Sequence, residues 1–106
     1  MPKYLIEASY TQEGVEGVRS KGGSSRRDAV EETVGGMGGK MEGFYFGFGD
    51  NDAYVIADLP DDEAAAAIAM TVNASGAVTI KTTVLLTPEQ LDEAAKRSVD
   101  YTPPGG

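Results

Sequence analysis

Residues 41–70, MEGFYFGFGDNDAYVIADLPDDEAAAAIAM, decide the fold of this chain. Two runs of aromatic and β-branched residues, 41–49 and 53–58, flank the short acidic turn Asp50-Asn51-Asp52, which is the pattern of a β-hairpin. Pro60 and three acidic residues then open an alanine-rich segment. Because carboxylates suit the positive end of a helix dipole, this segment is predicted to be a helix that ends at Gly76.

One further strand is predicted on each side of this stretch. Residues 3–10 and 78–86 alternate apolar and polar side chains, as strands do when helices cover one face of their sheet. In residues 41–49, Phe44, Phe46 and Phe48 are expected on one face and Tyr45 on the other.

The remaining segments carry helix signals. Thr11 is placed to cap a short helix, and Ser24 or Ser25 to cap a second one that ends in the glycines of residues 35–39. Thr87, Pro88 and Gln90 combine a capping box with a proline at the first helical position, so a last helix is predicted to run to about residue 98.

The resulting order, βαββαβ, predicts an α+β fold. With right-handed crossovers it gives a ferredoxin-like, four-stranded antiparallel sheet of order 4-1-3-2, with two helices on one face and an additional C-terminal helix. Residues 1–98 are expected to form a single domain and 99–106 a tail. The opposite sheet face is predicted to carry a surface too apolar for water. A second copy is expected to cover it, through Leu5, Glu7, Tyr45, Val55, Lys81 and Thr83.

Composition excludes several classes of function. The 106 residues include no cysteine and no histidine, so disulfides, thiolate nucleophiles and histidine acid/base chemistry are absent. A formal charge of −8 argues against nucleic-acid binding. No apolar run approaches the roughly 20 residues that cross a bilayer. The first residues lack a signal-peptide pattern, so we expect a cytoplasmic protein without a cofactor or membrane contact.

Residues 22–27, GGSSRR, are the first candidate site. Free backbone N–H groups at a helix start, hydroxyls and two guanidinium groups suit a carboxylate or phosphate, and the ligand residues would be Gly23, Ser24, Arg26 and Arg27. Four of the nine basic residues fall within residues 19–27. A hinge, a helix cap and solvated arginines account for the same residues, and this simpler interpretation is preferred on sequence alone.

Two other patterns carry no site. The acidic turn at residues 50–52 resembles the start of a calcium loop, but Val55 stands where that loop needs glycine, so a hairpin turn explains it and no metal site is expected. Residues 35–40 resemble a phosphate loop. They follow a helix, however, and Met41 replaces the required serine or threonine.

The aromatic residues offer a third candidate. Tyr10 and Tyr54 are expected to line a pocket between sheet and helices together with phenylalanines, although aromatic side chains at strand spacing more often form core. Glu7 and Lys81 are interpreted as a cross-strand ion pair inside the dimer rather than as an acid/base couple.

Three segments resemble the GYD domain family: FGDNDAYVIADLPDDEAAAA, GGSSRRDAVEETV and GGKMEGFYF. The resemblance covers residues 3–98 and implies a dimeric α+β barrel of the ferredoxin-like class. The chain departs from the family's Gly-Tyr-Asp signature at one position, because Asn51 precedes Asp52 where the signature has tyrosine.

Two functions of different class remain open from sequence, and a third, a purely structural interaction module, cannot be separated from the first of them. The first is a small homodimeric ligand-binding or accessory protein that binds a small anionic or aromatic metabolite. The alternative is a cofactor-independent enzyme, similar to the monooxygenases and isomerases found among α+β barrels, that uses tyrosine or a carboxylate.

Overall fold

The computed structural model describes residues 1–106 and contains a single four-stranded sheet. Its strands are antiparallel and lie in the order β2-β3-β1-β4, which is the predicted 4-1-3-2 order read from the other edge. The predicted fold class is therefore confirmed. No helix is long and apolar enough to span a membrane. The elements are β1 (Lys3–Tyr10), α1 (Gln12–Lys21), α2 (Gly23–Gly36), β2 (Lys40–Phe46), β3 (Ala53–Asp58), α3 (Asp62–Ala74), β4 (Val78–Leu85) and α4 (Pro88–Ala95).

Of the three helix caps predicted from serine and threonine residues, two are correct and one is wrong. The Thr11 side chain caps α1, and Thr87 forms the capping box of α4. Helix α2 instead begins at Gly23, with Gly22 as its cap and no side-chain cap hydrogen bond, so neither Ser24 nor Ser25 caps it. Helix α1 runs to Lys21, which leaves one residue for the turn between the helices. Gly22 makes this turn with φ 91°, a conformation that residues with a Cβ rarely adopt.

Strand β2 ends at Phe46, earlier than predicted. The N–H of Gly47 bonds to the carbonyl oxygen of Asp52 at 2.9 Å, which closes the hairpin and makes residues 47–52 the connection. Phe44 and Phe46 meet edge to face, with ring centroids 5.0 Å apart. Phe48 lies beyond the strand and is fully exposed, so the predicted row of three phenylalanines is wrong at its last member.

The core lies between the sheet and helices α2 and α3. Tyr4, Ile6 and Ala8 alternate as its contribution from β1, and Ile6 is paired with Val55 on β3. Val55 is 4% exposed and packs in the core, so its predicted place on the open face is wrong. Strand β3 is apolar on both faces, so alternation could not decide which residues face the helices. The register of β3 with β1 decides which of its residues face the helices.

The residues that alternate with these core residues along the strands form the open face of the sheet. Leu5 is paired with Thr83, Glu7 with Lys81 and Tyr45 with Tyr54, so all five residues predicted here besides Val55 share one face. Tyr54 and Ile56 belong to the same face. The carboxylate of Glu7 accepts a hydrogen bond from Asn51 at 2.8 Å and forms no ion pair with Lys81 within the chain.

Candidate functional site

A cleft of 340 Å³ lies where α1 and α2 meet the end of β1 and the start of β4. Gly14 allows α1 to approach closely, because a Cβ at this position would lie 2.3 Å from the carbonyl oxygen of Ala77. The N–H of Thr11 bonds to the same oxygen at 3.0 Å. The cleft is lined by Tyr10, Glu13, Gly14, Gly17, Val18, Lys21, Gly22, Ser25, Arg26, Ala29, Ala77 and Val78.

The basic residues around the cleft fall into two groups. Arg19 pairs with Glu16 at 3.1 Å, and Arg27 pairs with the neighbouring Asp28 at 3.2 Å. Lys21 and Arg26 form no ion pair, and both of them line the cleft. The structure thus directs the two unpaired cations toward the same concave surface.

Arg26 is the polar residue whose environment most needs an explanation. Its side chain is half-buried, and its Nε is fully buried without a hydrogen-bond partner. A buried donor that lacks an acceptor costs about 1–3 kcal/mol, so such groups are uncommon in folded proteins. An acceptor supplied by a bound molecule would satisfy this group.

A second, smaller cavity of 100 Å³ lies beneath α2, between the sheet and helices α2 and α3, and two of its lining residues, Ala29 and Thr33, are exposed. Thirteen of its fifteen lining residues are hydrophobic. Four residues line both this cavity and the surface cleft, so the two spaces adjoin at them: Tyr10, Arg26, Ala29 and Val78.

The structure brings two of the predicted ligand residues together, Tyr10 and Arg26, and leaves the others outside the cleft. Gly23 packs under Phe46, since a Cβ there would lie 2.9 Å from the ring. Ser24 is exposed and does not line the cleft, and Arg27 is exposed beside its acidic neighbour. Of the four residues predicted to bind an anion at the start of α2, only Arg26 therefore lines the cleft.

Tyr54 lies on the opposite side of the sheet. It pairs with Glu7 in β1 and with Tyr45 in β2, and these residues belong to the open face. Tyr10 lies on the helix-covered face. The predicted pocket that contained both tyrosines is wrong, because neighbouring strands place the two residues on different faces.

Sequence reasoning missed three polar residues of the cleft, Glu13 and Lys21 on α1 and Ser25 on α2. The place of Ser25 can be deduced once the start of α2 is known. Gly22, Arg26 and Ala29 then follow the i, i+4, i+7 spacing of one helix face, with Ser25 beside them. Assigning the helix cap to a serine obscured this spacing.

The acidic turn supports the cleft from the side of the sheet. A carboxylate oxygen of Asp52 accepts the backbone N–H of Tyr10 at 2.8 Å, and the N–H of Asp52 bonds to the carbonyl oxygen of Ala8 at 2.8 Å. These two bonds continue the pairing of β1 and β3 past the last strand residues. Asp52 thereby fixes the backbone that carries the Tyr10 ring.

The two perturbed ionisable groups lie at the other end of the sheet. The buried Tyr4 hydroxyl donates to a carboxylate oxygen of Asp62 at 2.6 Å, and this bond together with burial raises the pKa of Tyr4 to about 12. Hydrogen bonds to Glu42 and Asp58 raise the pKa of Lys3. Both groups join structural elements and neither lines the cleft.

Comparison with known proteins identifies the family of the chain. No curated protein and no solved structure matches it. The model of the GYD domain matches residues 4–95, a range that begins in β1 and ends with α4. The chain therefore belongs to the GYD domain family.

Proposed function

We propose that this protein is a small homodimeric ligand-binding protein whose cleft between α1 and α2 binds a small anionic metabolite. The observation that carries the proposal is Arg26, whose buried Nε has no acceptor. Lys21, the other cation of the cleft, is also unpaired. Two unpaired cations at one concave surface are notable in a chain of net charge −8, where most surface is repulsive to anions.

The chemistry of the cleft favours a single negative charge. The planar guanidinium of Arg26 matches a carboxylate or phosphate, and half-burial strengthens the bond because the surroundings screen charge less than water does. Ser25 and Tyr10 offer hydroxyl donors at the same surface. Glu13 also lines the cleft, and its carboxylate would repel a ligand that carries a second negative charge.

The lining favours binding over catalysis. A guanidinium, a phenol and an aliphatic hydroxyl bind and orient an anion. The carboxylate of Glu13 belongs to an exposed residue, so it lacks the burial that tunes catalytic acids. For this reason we prefer a ligand-binding protein to a cofactor-independent enzyme.

Two adjacent arginines provide the test. Arg26→Gln removes the proposed anchor, whereas Arg27→Gln makes the same change at an exposed residue that pairs with Asp28. Thermal shift and calorimetry with phosphate, sulfate and small carboxylates should show binding to the parent protein. We expect Arg26→Gln to weaken binding at least tenfold and Arg27→Gln to change it less than twofold. Equal behaviour of the two variants, or no response of the parent, would contradict the proposal.

The homodimer is proposed from the open face of the sheet. Leu5, Tyr54 and Ile56 are only partly covered there, and Tyr45 is 69% exposed. A second copy packed sheet to sheet would remove this apolar surface from water. Light scattering at micromolar concentration should report twice the mass of the chain, and a monomer would contradict this part of the proposal.

A further inference from the structure

We infer that the ligand of the cleft is a monocarboxylate with a short aliphatic chain, and that this chain occupies the apolar cavity beneath α2. The inference rests on the proposed anion site and adds the chemical class of the ligand. It follows from the position of Arg26, which lines both the surface cleft and the apolar cavity. A carboxylate bound at this residue would have its aliphatic end directed inward.

The junction between the two spaces gives the ligand its orientation. The polar side chains at the junction are those of Tyr10 and Arg26, and the small residue Ala29 lies beside them. Because the guanidinium Nε is buried, an oxygen that accepts its hydrogen must come close to the interior. The aliphatic chain attached to the carboxyl group of the ligand would then enter the cavity beneath α2.

The interior is suited to hydrocarbon and poorly suited to water. Beyond the junction, Thr33 is the remaining polar side chain of the lining, and its hydroxyl already donates to the carbonyl oxygen of Ala29 at 3.1 Å. A buried water needs two to four polar partners, so it would be poorly satisfied there. An alkyl chain would instead gain dispersion contacts that an unfilled cavity lacks.

The size of the cavity sets the length of the chain. A volume of 100 Å³ holds about three or four non-hydrogen atoms if each takes the roughly 30 Å³ that a water molecule occupies in the liquid. Thr33, Ile68 and Val72 separate the cavity from a groove on the surface between α2 and α3. A longer chain would have to displace these side chains.

Calorimetry with straight-chain carboxylates from acetate to octanoate tests the inference in the intact protein. Affinity should rise about fourfold for each methylene added, as expected when a CH₂ group leaves water. The rise should stop at butanoate or pentanoate, whose three or four carbons beyond the carboxyl group fill the cavity. Acetate that binds as tightly as hexanoate would overturn the inference while leaving the anion site in place.

Cavity-filling variants locate the chain. Val30→Phe and Thr33→Leu each add volume to the lining, and Val84→Phe is a matched control at a residue that is 54% exposed and outside the cavity. Both fillers should lower hexanoate affinity at least tenfold and leave acetate affinity unchanged, whereas the control should alter neither. Thr33 is an exposed residue at the edge of the cavity, so its variant tests the same space even if Val30→Phe fails to fold.

The results of these experiments distinguish a failure of the inference about the aliphatic chain from a failure of the proposed anion site. A folded filler that keeps the parent's dependence on chain length would overturn the inference. Failure of the proposed function has a different signature, because no carboxylate, phosphate or sulfate would then bind the parent, or Arg26→Gln would bind all of them as the parent does.

Discussion

The two faces of the sheet are built from the same strands but differ in how far their side chains are buried. On the covered face, Tyr4, Ile6 and Val55 are each at most 7% exposed and pack beneath helices. On the open face, Leu5 and Ile56, one residue along the same strands, stay partly exposed. The covered face therefore forms the core of the monomer and one wall of the cavity beneath α2, while the open face is the surface that we propose for the dimer.

We expect the largest change in stability when a charged residue is placed on one face of the sheet and then on the other. Val55→Arg buries an uncompensated charge in the core and should destabilise the monomer by about 3–5 kcal/mol, a large part of the roughly 5–15 kcal/mol by which a domain is stable. Ile56→Arg places the same charge on the open face. It should leave the monomer folded and weaken the proposed dimer. Circular dichroism and sedimentation velocity of both variants measure the two effects, and equal unfolding of the two would contradict the distinction between the faces.

The places where sequence reasoning succeeded show what fixes a fold locally. The helix starts at Thr11 and Thr87 were predictable, because a cap is a contact between residues three apart in the chain. The bounds of β3 and the strand order were predictable from the alternation of element types. These features depend on neighbours in sequence or on general rules of chain connection.

The failures that concern the faces of the sheet depend on contacts between distant residues. The side on which Val55 lies is decided by its pairing with Ile6, and no property of residues 53–58 alone reveals it. The same register separates Tyr54 from Tyr10. The composition of the cleft depends on how α1 and α2 meet at Gly22, so sequence could identify Arg26 as a candidate without showing that Arg27 is turned away.

A smaller effect is expected from the hydrogen bond that joins the covered face to α3. Tyr4→Phe removes the donor to Asp62 and should cost about 1.5 kcal/mol at neutral pH. Tyr45→Phe, on the open face and 69% exposed, is the matched control and should cost almost nothing. Urea unfolding at pH 8 measures both. A cost that is the same for the two variants would show that the Tyr4 bond contributes nothing specific.

The Tyr4 bond also has a pH signature. The pKa of Tyr4 is raised to about 12 in the folded protein, from the ordinary tyrosine value of 10.0. The folded state therefore holds this proton more tightly, so the stabilisation is complete below pH 10 and is lost as the pH rises toward 12. The difference in stability between the parent and Tyr4→Phe should shrink across this window. A difference that is constant from pH 8 to 12 would contradict the assignment.

The smallest effect is expected on the open face. Asn51→Ala removes the hydrogen bond to Glu7, and the freed carboxylate can be solvated because the residue is partly exposed. The cost should be below about 1 kcal/mol. Ligand affinity should not change, since neither residue lines the cleft. A loss of binding in this variant would show that the two faces are coupled.

The central claim is that the ligand binds on the covered side of the sheet, at the junction marked by Arg26. The most direct measurement is the change of backbone amide shifts in ¹⁵N-labelled protein during titration with pentanoate. We expect the largest shift changes at the amides of Tyr10, Arg26, Ala29 and Val78, and no change at the amide of Ile56. Changes concentrated on the open face, or spread evenly over the surface, would contradict this claim.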